Sequence, residues 1–508
     1  MEVSREENEK FATCKAEAKF VIVGGGIAGV TCAETLADEC PEEKIILIAA
    51  SPLVKVVTNY QQVSRTMETF DVEEKPSSTV ESQCPNVRVI HAFVSGLQAD
   101  EKMLTTSDGR RVHYDKLCIC TGGKPKLIPG QNPLVVGIRD TESVKSFQKK
   151  LSAAKRILVV GNGGIATELV YEVEGCEVVW AIKDRSISSA FVDEGAAQFF
   201  LPHLNQEKKE GASDLVKRLK YTVENEGVSA LSPTKGEGDQ SFGSALGPDW
   251  ATSRHMKGAS SVCPQVHVDY QVEVVRVMGP DQMSATHLKT HTPTHFAGDS
   301  EQEWPVYIEL SNGRVYGCDL VVSATGVTPF TDPFLPGNIF EVAEDGGIKV
   351  NDKFETSLPD VYAAGDVCSA GWECAKLWLQ MRLWTQARQM GSYAARSMAA
   401  ARRGESISLD ICFELFAHVT KFFGYKVVLI GLFNAQGLGN DYELLLRVTE
   451  GEEYVKVVLH EGRLVGAILI GETDLEETFE NLALNQTDLT AFKDNLLEPG
   501  IDIEDFFD

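Results

Sequence analysis

Lys19-Phe20-Val21-Ile22-Val23-Gly24-Gly25-Gly26-Ile27-Ala28-Gly29 decides how the rest of the chain is read. A short apolar run ends in a glycine turn. A helical pattern follows over Val30 to Ala37, then a second buried-strand run over Lys44 to Ile48. Strand, glycine turn, helix, strand is the unit that holds a dinucleotide pyrophosphate. The phosphates need backbone N–H groups at a helix N-terminus and no side chains in the way. Gly24 makes the tight turn, Gly26 lets the phosphates approach, and Gly29 lets the helix pack against the strand. Ile27 and Ala28 fill out the turn. One such motif is weak. Its position between a strand and a helix is the context that gives it meaning.

The same unit is written again. Arg156 to Val160 is a strand, Gly161-Asn162-Gly163-Gly164-Ile165-Ala166 the turn, Thr167 to Val173 the start of a helix, and Glu177 to Ile182 the next strand. Gly161, Gly163 and Ala166 take the three glycine roles. An internal repeat of this kind says more than either copy. In both copies the acid that normally ends the second strand is missing. Ala49-Ala50-Ser51 stands in the first, where Ser51 can hydrogen-bond an adenosine ribose. Ile182-Lys183-Asp184-Arg185 stands in the second. Lys183 and Arg185 permit a 2′-phosphate and Asp184 argues the other way, so NAD against NADP stays open.

Three further motifs close strands on glycine: Cys120-Thr121-Gly122-Gly123, Ser323-Ala324-Thr325-Gly326, and Val361-Tyr362-Ala363-Ala364-Gly365-Asp366. The carboxylate of Asp366 can accept a hydrogen bond from a flavin's ribityl hydroxyl, and Gly365 lets the chain come close. Each motif is weak alone, and together in this order they are strong.

Outward from these motifs, the stretch from about 205 to 304 is rich in Pro, Gly, Ser, Lys and His, with apolar periodicity only near Val266 to Val277. It reads as an insertion, part ordered and part flexible. Trp372 to Ala401 is a long helical pattern. Alternating apolar runs between Tyr425 and Glu472 read as a small antiparallel sheet, and Thr473 to Phe492 as helical. The net charge of -26 argues against nucleic acid and anionic lipid. Gly471 to Asp508 holds one Lys against twelve acids, an end that aids solubility. Met1 to Thr13 has no apolar h-region, and no run approaches the ~18 apolar residues of a membrane span. The 12 cysteines follow no framework pattern. Free thiols in a reducing compartment are expected, in cytoplasm and nucleus. His287, His291 and His295 have helical metal-site spacing, but Pro293 breaks that helix and a loop is expected, with no metal.

The order of the five glycine motifs resembles the pyridine nucleotide-disulphide oxidoreductase family, in a class-I-like arrangement, over about 20 to 401 apart from the insertion. The resemblance implies FAD at Gly24 to Gly29 and Asp366, and NAD(P)H at Gly161 to Ala166. It implies that the helix after Gly-Asp points its N-terminus at the flavin. Trp378, Arg382 and Thr385, on one face at helical spacing, then become flavin contacts together with Gln386. It further implies that Glu168, two residues after the second turn, pairs with a Lys beside the flavin. Lys55 is the Lys near enough in sequence, and a solvated Lys55 is the alternative. One departure stands out. Disulphide reductases carry a Cys pair near the flavin. Here Ala49 to Val80 contains no Cys, and no C-x-x-C occurs anywhere. Cys118 and Cys120, on one face of a strand, read as buried inert thiols. Cys368 and Cys374 follow Asp366 most closely. The C-terminal part also lacks the family's His-Pro and Glu pattern.

The expected fold is therefore α/β: two Rossmann-like dinucleotide-binding domains and a small C-terminal α+β domain. The FAD domain takes 1–124 and 330–405, the NAD(P) domain 125–329, and the C-terminal domain 406–508. The expected activity carries hydride from NAD(P)H to FAD and on to an unidentified acceptor, without a protein disulphide, in protection against oxidation. A second reading is a flavoprotein redox sensor or chaperone whose reduced state binds a protein client through the insertion, the C-terminal domain or the acidic tail.

Overall fold

The computed structural model describes residues 15–130, 132–205, 256–259, 265–296 and 302–498. Most of the expected insertion (206–255, 260–264 and 297–301) and the acidic end from 499 lie outside the described residues.

The opening run becomes β1 (Lys15–Val23), followed by α1 (Ile27–Glu39) and β2 (Ile45–Ala49). Phe20, Val21 and Ile22 are fully buried, because β1 runs in parallel between β2 and β8 (Arg111–Ile119). A strand covered on both faces reads as a continuous apolar run. Each such side chain contributes roughly 1.5–3 kcal/mol of burial. Between β2 and β8 come the antiparallel hairpin of β3 (Leu53–Gln62) and β4 (Glu68–Pro76), then β5 (Val87–His91), β6 (Val94–Gln98) and β7 (Met103–Thr106). The sheet order is β5-β2-β1-β8-β7-β6.

The second unit gives α2 (Thr141–Leu151), β10 (Arg156–Val160), α3 (Gly164–Glu172) and β11 (Glu177–Ala181), after β9 (Val135–Gly137). Inside the compositionally distinct stretch, β12 (Gln265–Asp269) pairs in parallel with β11. With β16 (Leu320–Ser323) these strands form one parallel sheet, β9-β16-β10-β11-β12. A three-stranded antiparallel sheet of β13 (Val274–Met278), β14 (Val306–Leu310) and β15 (Val315–Cys318) lies beside it in sequence. His287, His291 and His295 fall in chain without helix, as Pro293 demands.

The chain then returns to the first sheet. β17 (Val361–Ala363) pairs with β8, and α4 (Trp384–Arg403) packs across α1. The contact is close: a Cβ on Gly391 would lie 2.3 Å from the Ala28 carbonyl oxygen, so only glycine fits there. Gly404, at φ +74, ends α4 after Arg402 and Arg403. The helical pattern read from Trp372 therefore starts twelve residues late. Two glutamine side chains hold the preceding chain in a non-helical path: Gln380 accepts from the Ala370 N–H at 2.7 Å, and Gln386 accepts from the Met381 N–H at 2.7 Å.

The C-terminal region is an antiparallel sheet of β18 (Ala417–Phe422), β19 (Tyr425–Gly431), β20 (Glu443–Thr449), β21 (Glu453–His460) and β22 (Arg463–Ile470), ordered β18-β19-β22-β21-β20. α5 (Glu476–Asn485) covers it and is shorter than its pattern, because Gln486 turns left-handed at φ +51. Glu480, fully buried in α5, accepts from the Thr66 N–H at 2.7 Å and the Arg65 N–H at 3.1 Å. Lys456 on β21 meets Asp193 at 2.5 Å. The sheet is thus tied to the β3–β4 hairpin and to the second dinucleotide unit at once. Among the described residues, no helix is long and apolar enough to cross a membrane.

Candidate functional site

One cavity of about 1040 Å³ runs between the two glycine turns. Gly24, Gly26, Ile27 and Ala28 line one part, and Gly161, Gly163, Gly164 and Ile165 line another. Gly24 and Gly161 sit at φ +131 and +127. A Cβ on either would come within 2.1 Å of a backbone oxygen, of Cys120 and Ala324 respectively. That explains two strand-end motifs: each presses its carbonyl against the facing turn. At Gly26 and Gly163 a Cβ would meet no protein atom within 4 Å, so the room there belongs to the cavity. These two residues are also the N-caps of α1 and α3, and neither helix has a side-chain cap. Their first N–H groups are open to an anion at the positive end of the helix. This is the fit required for two pyrophosphates.

Gly29 and Ala166 do not line the cavity; they pack their helices. A Cβ at Gly29 would lie 1.9 Å from the Gly24 carbonyl oxygen. Gly365, at φ +81, has the Ala28 methyl 2.9 Å from where its Cβ would be. Thr121, Gly122, Ala324, Thr325 and Gly326 all line the cavity. The two threonine hydroxyls are engaged by backbone, Thr121 donating to the Phe330 carbonyl and Thr325 to the Lys126 carbonyl, each at 2.7 Å. Ser51 lines the cavity and accepts from the Leu53 N–H at 3.1 Å.

At the second turn Asn162 holds the following loop. Its Nδ2 donates to Asp184 and the Ser186 carbonyl at 2.9 Å and to Ser189 at 2.8 Å, while its Oδ1 accepts from the Ser188 N–H at 2.5 Å. Ser189 also donates to Asp184 at 2.8 Å. The Asp184 carboxylate is thereby engaged within the protein, and Asp184 lines the cavity beside Lys183.

Asp366 lines the cavity with Arg382. Burial pushes the Asp366 carboxyl up to about 6, against the pull of Arg382 and Arg139. Arg382 donates to the Asp366 carbonyl at 3.1 Å and pairs with Asp345 at 2.7 Å.

The helical face expected of Trp378, Arg382 and Thr385 does not form, because Trp378 and Arg382 precede α4. Trp378 is buried against Trp372 and Phe413, at 5.6 and 5.8 Å between ring centroids, and does not line the cavity. It is a core residue. Gln386 spends its side chain on Met381 and Leu379, the latter at 2.6 Å. Thr385 meets His418 Nδ1 at 3.1 Å. Of the four, Arg382 reaches the cavity wall.

Lys55 lies on β3 with its side chain 6% exposed, so the solvated alternative does not hold. Its ammonium meets Glu74 at 2.9 Å and Thr141 Oγ1 at 3.2 Å. Glu168, in the second turn of α3, lines the cavity.

Cys118 and Cys120 lie in the core with Sγ atoms 3.5 Å apart. Hydrogen bonds with Cys120 and Cys32, then burial, hold the Cys118 thiol protonated. Burial pushes the Cys368 thiol up as well. Each cysteine among the described residues is free.

The wall also contains residues that the sequence did not announce: Arg139, Phe191, Phe330, and His418 of β18. Asn162 was readable in principle, as a polar side chain inside a glycine turn. His418 carried no signal, being brought in by the C-terminal sheet.

The match to known proteins agrees with this geometry. Residues 18–208 and 281–391 match the pyridine nucleotide-disulphide oxidoreductase family, and 417–487 match the rubredoxin NAD+ reductase C-terminal domain. Among curated relatives, pyridine nucleotide-disulfide oxidoreductase domain-containing protein 1 of Homo sapiens is 55% identical, with 96% of this chain and 98% of that protein covered. The protein of the same name from Drosophila melanogaster is 46% identical, covering 97% and 99%. Among solved structures, an engineered water-forming NADPH oxidase bound to NADPH aligns with TM-score 0.63 at 17% identity, covering 95% of each chain. NADH:rubredoxin oxidoreductase from Clostridium acetobutylicum aligns with TM-score 0.55 at 16% identity, covering 93% of this chain and 97% of that one. These two structures share the fold.

Proposed function

From the premise that the chain belongs to the pyridine nucleotide-disulphide oxidoreductase family, with FAD and NAD(P)H as cofactors, we propose that it oxidises NAD(P)H and passes the electrons to an acceptor outside the chain, without a disulphide of its own. The observation that carries this reading is the single cavity lined by both glycine turns. Two dinucleotides held there can bring their redox rings together. FAD supplies the hydride-accepting chemistry, and the protein supplies position and charge.

The residues divide that work. The bare N-termini of α1 and α3 hold pyrophosphates. Asp366 holds the ribityl chain, with Arg382 bracing its backbone. Lys55 and Glu168 form the charged pair beside the flavin; the burial of Lys55 and the position of Glu168 on the cavity wall support it. A cation there stabilises the electron-rich reduced ring. Asp184 and Lys183 line the cavity side by side, and the engagement of the Asp184 carboxylate by Asn162 and Ser189 supports acceptance of a 2′-phosphate. The protonated, buried Cys118 and Cys368 support an acceptor outside the protein. A role in protecting other proteins from oxidation, in cytoplasm and nucleus, belongs to the same proposal.

The test is the visible spectrum during anaerobic addition of NADH, then NADPH, with air readmitted afterwards. The flavin bands should bleach with nucleotide and return with oxidant. A protein that takes up no FAD would end the proposal. Slow return in air, with a partner bound only in the reduced state, would favour the redox-sensor reading over turnover.

A further inference from the structure

His418 is 1% exposed and lies on β18, yet it lines the cavity shared by the two turns. Its surroundings account for one side of the ring only. Nδ1 is paired with the Thr385 hydroxyl at 3.1 Å, in the first turn of α4. Nε2 is buried and has no partner among the described residues. A buried polar atom without a partner is uncommon, and it points to a group that the cavity receives. The ring is held firmly: Trp384 lies 5.3 Å away and Phe191 lies 6.5 Å away, centroid to centroid. Trp384 and Phe191 line the same cavity.

We infer that His418 is a hydrogen-bond partner of the flavin ring system, with Nδ1 fixed by Thr385 and Nε2 serving the cavity. The inference rests on the proposed flavin function. α4 favours the flavin over the nicotinamide. Thr385 belongs to the first turn of α4, and that helix follows Asp366 and Arg382 on the side of the first glycine turn. The N-terminus of α4 has no side-chain cap, so it presents positive potential at the same place. The tautomer this requires has the Thr385 hydroxyl donating to Nδ1, so that Nε2 carries the proton and donates. Burial pushes the imidazole down to about 3, so it stays a neutral donor. A neutral donor stabilises charge that builds on the reduced ring without repelling the nucleotide that brings the hydride. The C-terminal sheet thereby completes the flavin site from within the same chain.

The experiment is the midpoint potential and visible spectrum of the FAD-loaded protein. His418→Phe keeps the ring volume and removes both nitrogens. The expected result is full FAD content, a displaced flavin absorption band, and about a tenfold loss in the reduction equilibrium, about 30 mV lower for a two-electron couple. His418→Gln should recover most of that loss. Thr385→Val leaves His418 in place, should shift the potential in the same direction by less, and provides the reading if His418→Phe does not fold. An unchanged potential and spectrum in the FAD-loaded variants overturns the inference, as does an effect confined to the KM for NAD(P)H. Either result leaves the flavin function standing. A wild-type chain that takes up no FAD defeats that function instead.

Discussion

At Gly24 and Gly161 the backbone does the same thing, with φ of +131 and +127 and a facing carbonyl that a Cβ would strike at 2.1 Å in both. Beyond that point the two units part. The first turn uses glycine and close backbone packing: Gly29 against the Gly24 carbonyl, Gly391 against the Ala28 carbonyl, Gly365 against the Ala28 methyl. The second turn accepts Ala166 and recruits Asn162, whose side chain ties down Asp184, Ser186, Ser188 and Ser189. Backbone against backbone leaves little room to adjust, because packed atoms cannot move singly. A side-chain hub can break and re-form one bond at a time. The difference suits a cofactor that stays and a nucleotide that comes and goes.

The largest effect should come from Gly24→Ala. Positive φ and the clash with the Cys120 carbonyl together cost about 3 kcal/mol or more, in a turn with no slack. The expected outcome is loss of FAD, read as the flavin-to-protein ratio after purification. Retained FAD at full ratio would break the comparison at its base.

Gly161→Ala meets the same local strain. It should leave FAD in place and weaken NAD(P)H reduction of the flavin by about 100-fold, the effect of roughly 3 kcal/mol. Stopped-flow bleaching of the flavin measures it. Loss of FAD in this variant would show that the two turns are not separate in energy.

Asn162→Ala sharpens the contrast. Net hydrogen bonds are worth about 1 kcal/mol each, and neighbouring polar groups take up part of the loss. We expect the KM for NAD(P)H to rise about tenfold, with the flavin spectrum unchanged. An equal loss in the affinity for FAD would count against a hub confined to the second unit.

The smallest effect is a pH dependence on the first side. Burial holds the Asp366 carboxyl at about 6 in the folded chain, above the ordinary carboxylate value of about 4. The folded state therefore keeps a proton that the unfolded state gives up. This group costs nothing below pH ~4, costs increasingly as pH rises to ~6, and costs a constant amount above that. Asp366→Asn in the FAD-free protein should match wild type in melting temperature near pH 4 and exceed it above pH 6, while binding FAD more weakly. A melting difference that does not grow with pH would rule out the buried-carboxylate cost.

Much of the frame was legible because its causes are local. Apolar runs gave the strands, and glycine at a strand end gave turns that a side chain would block. The helix after Asp366 starts later than its pattern, at Trp384. The pattern of Trp378, Arg382 and Thr385 satisfies helical spacing, but Gln380 and Gln386 bond the chain in a non-helical path, and Trp378 finds Trp372 and Phe413 instead. Proximity in sequence points to Lys55, and packing supplies its surroundings. Its ammonium meets Glu74 and Thr141, which come from 19 and 86 residues away.

The sequence by itself determined two dinucleotide turns, their order and the lack of a cysteine pair of family spacing. Backbone conformation, helix N-termini and residue spacing are properties of neighbouring residues, so they can be read one segment at a time. Only the tertiary structure decided that both turns open on one cavity, that Asp184 is occupied by Asn162 and Ser189, and that His418 reaches Thr385 across 33 residues of chain. Those facts depend on which sheet pairs with which and on how the C-terminal sheet docks. Long-range packing sets them, and no local pattern encodes it.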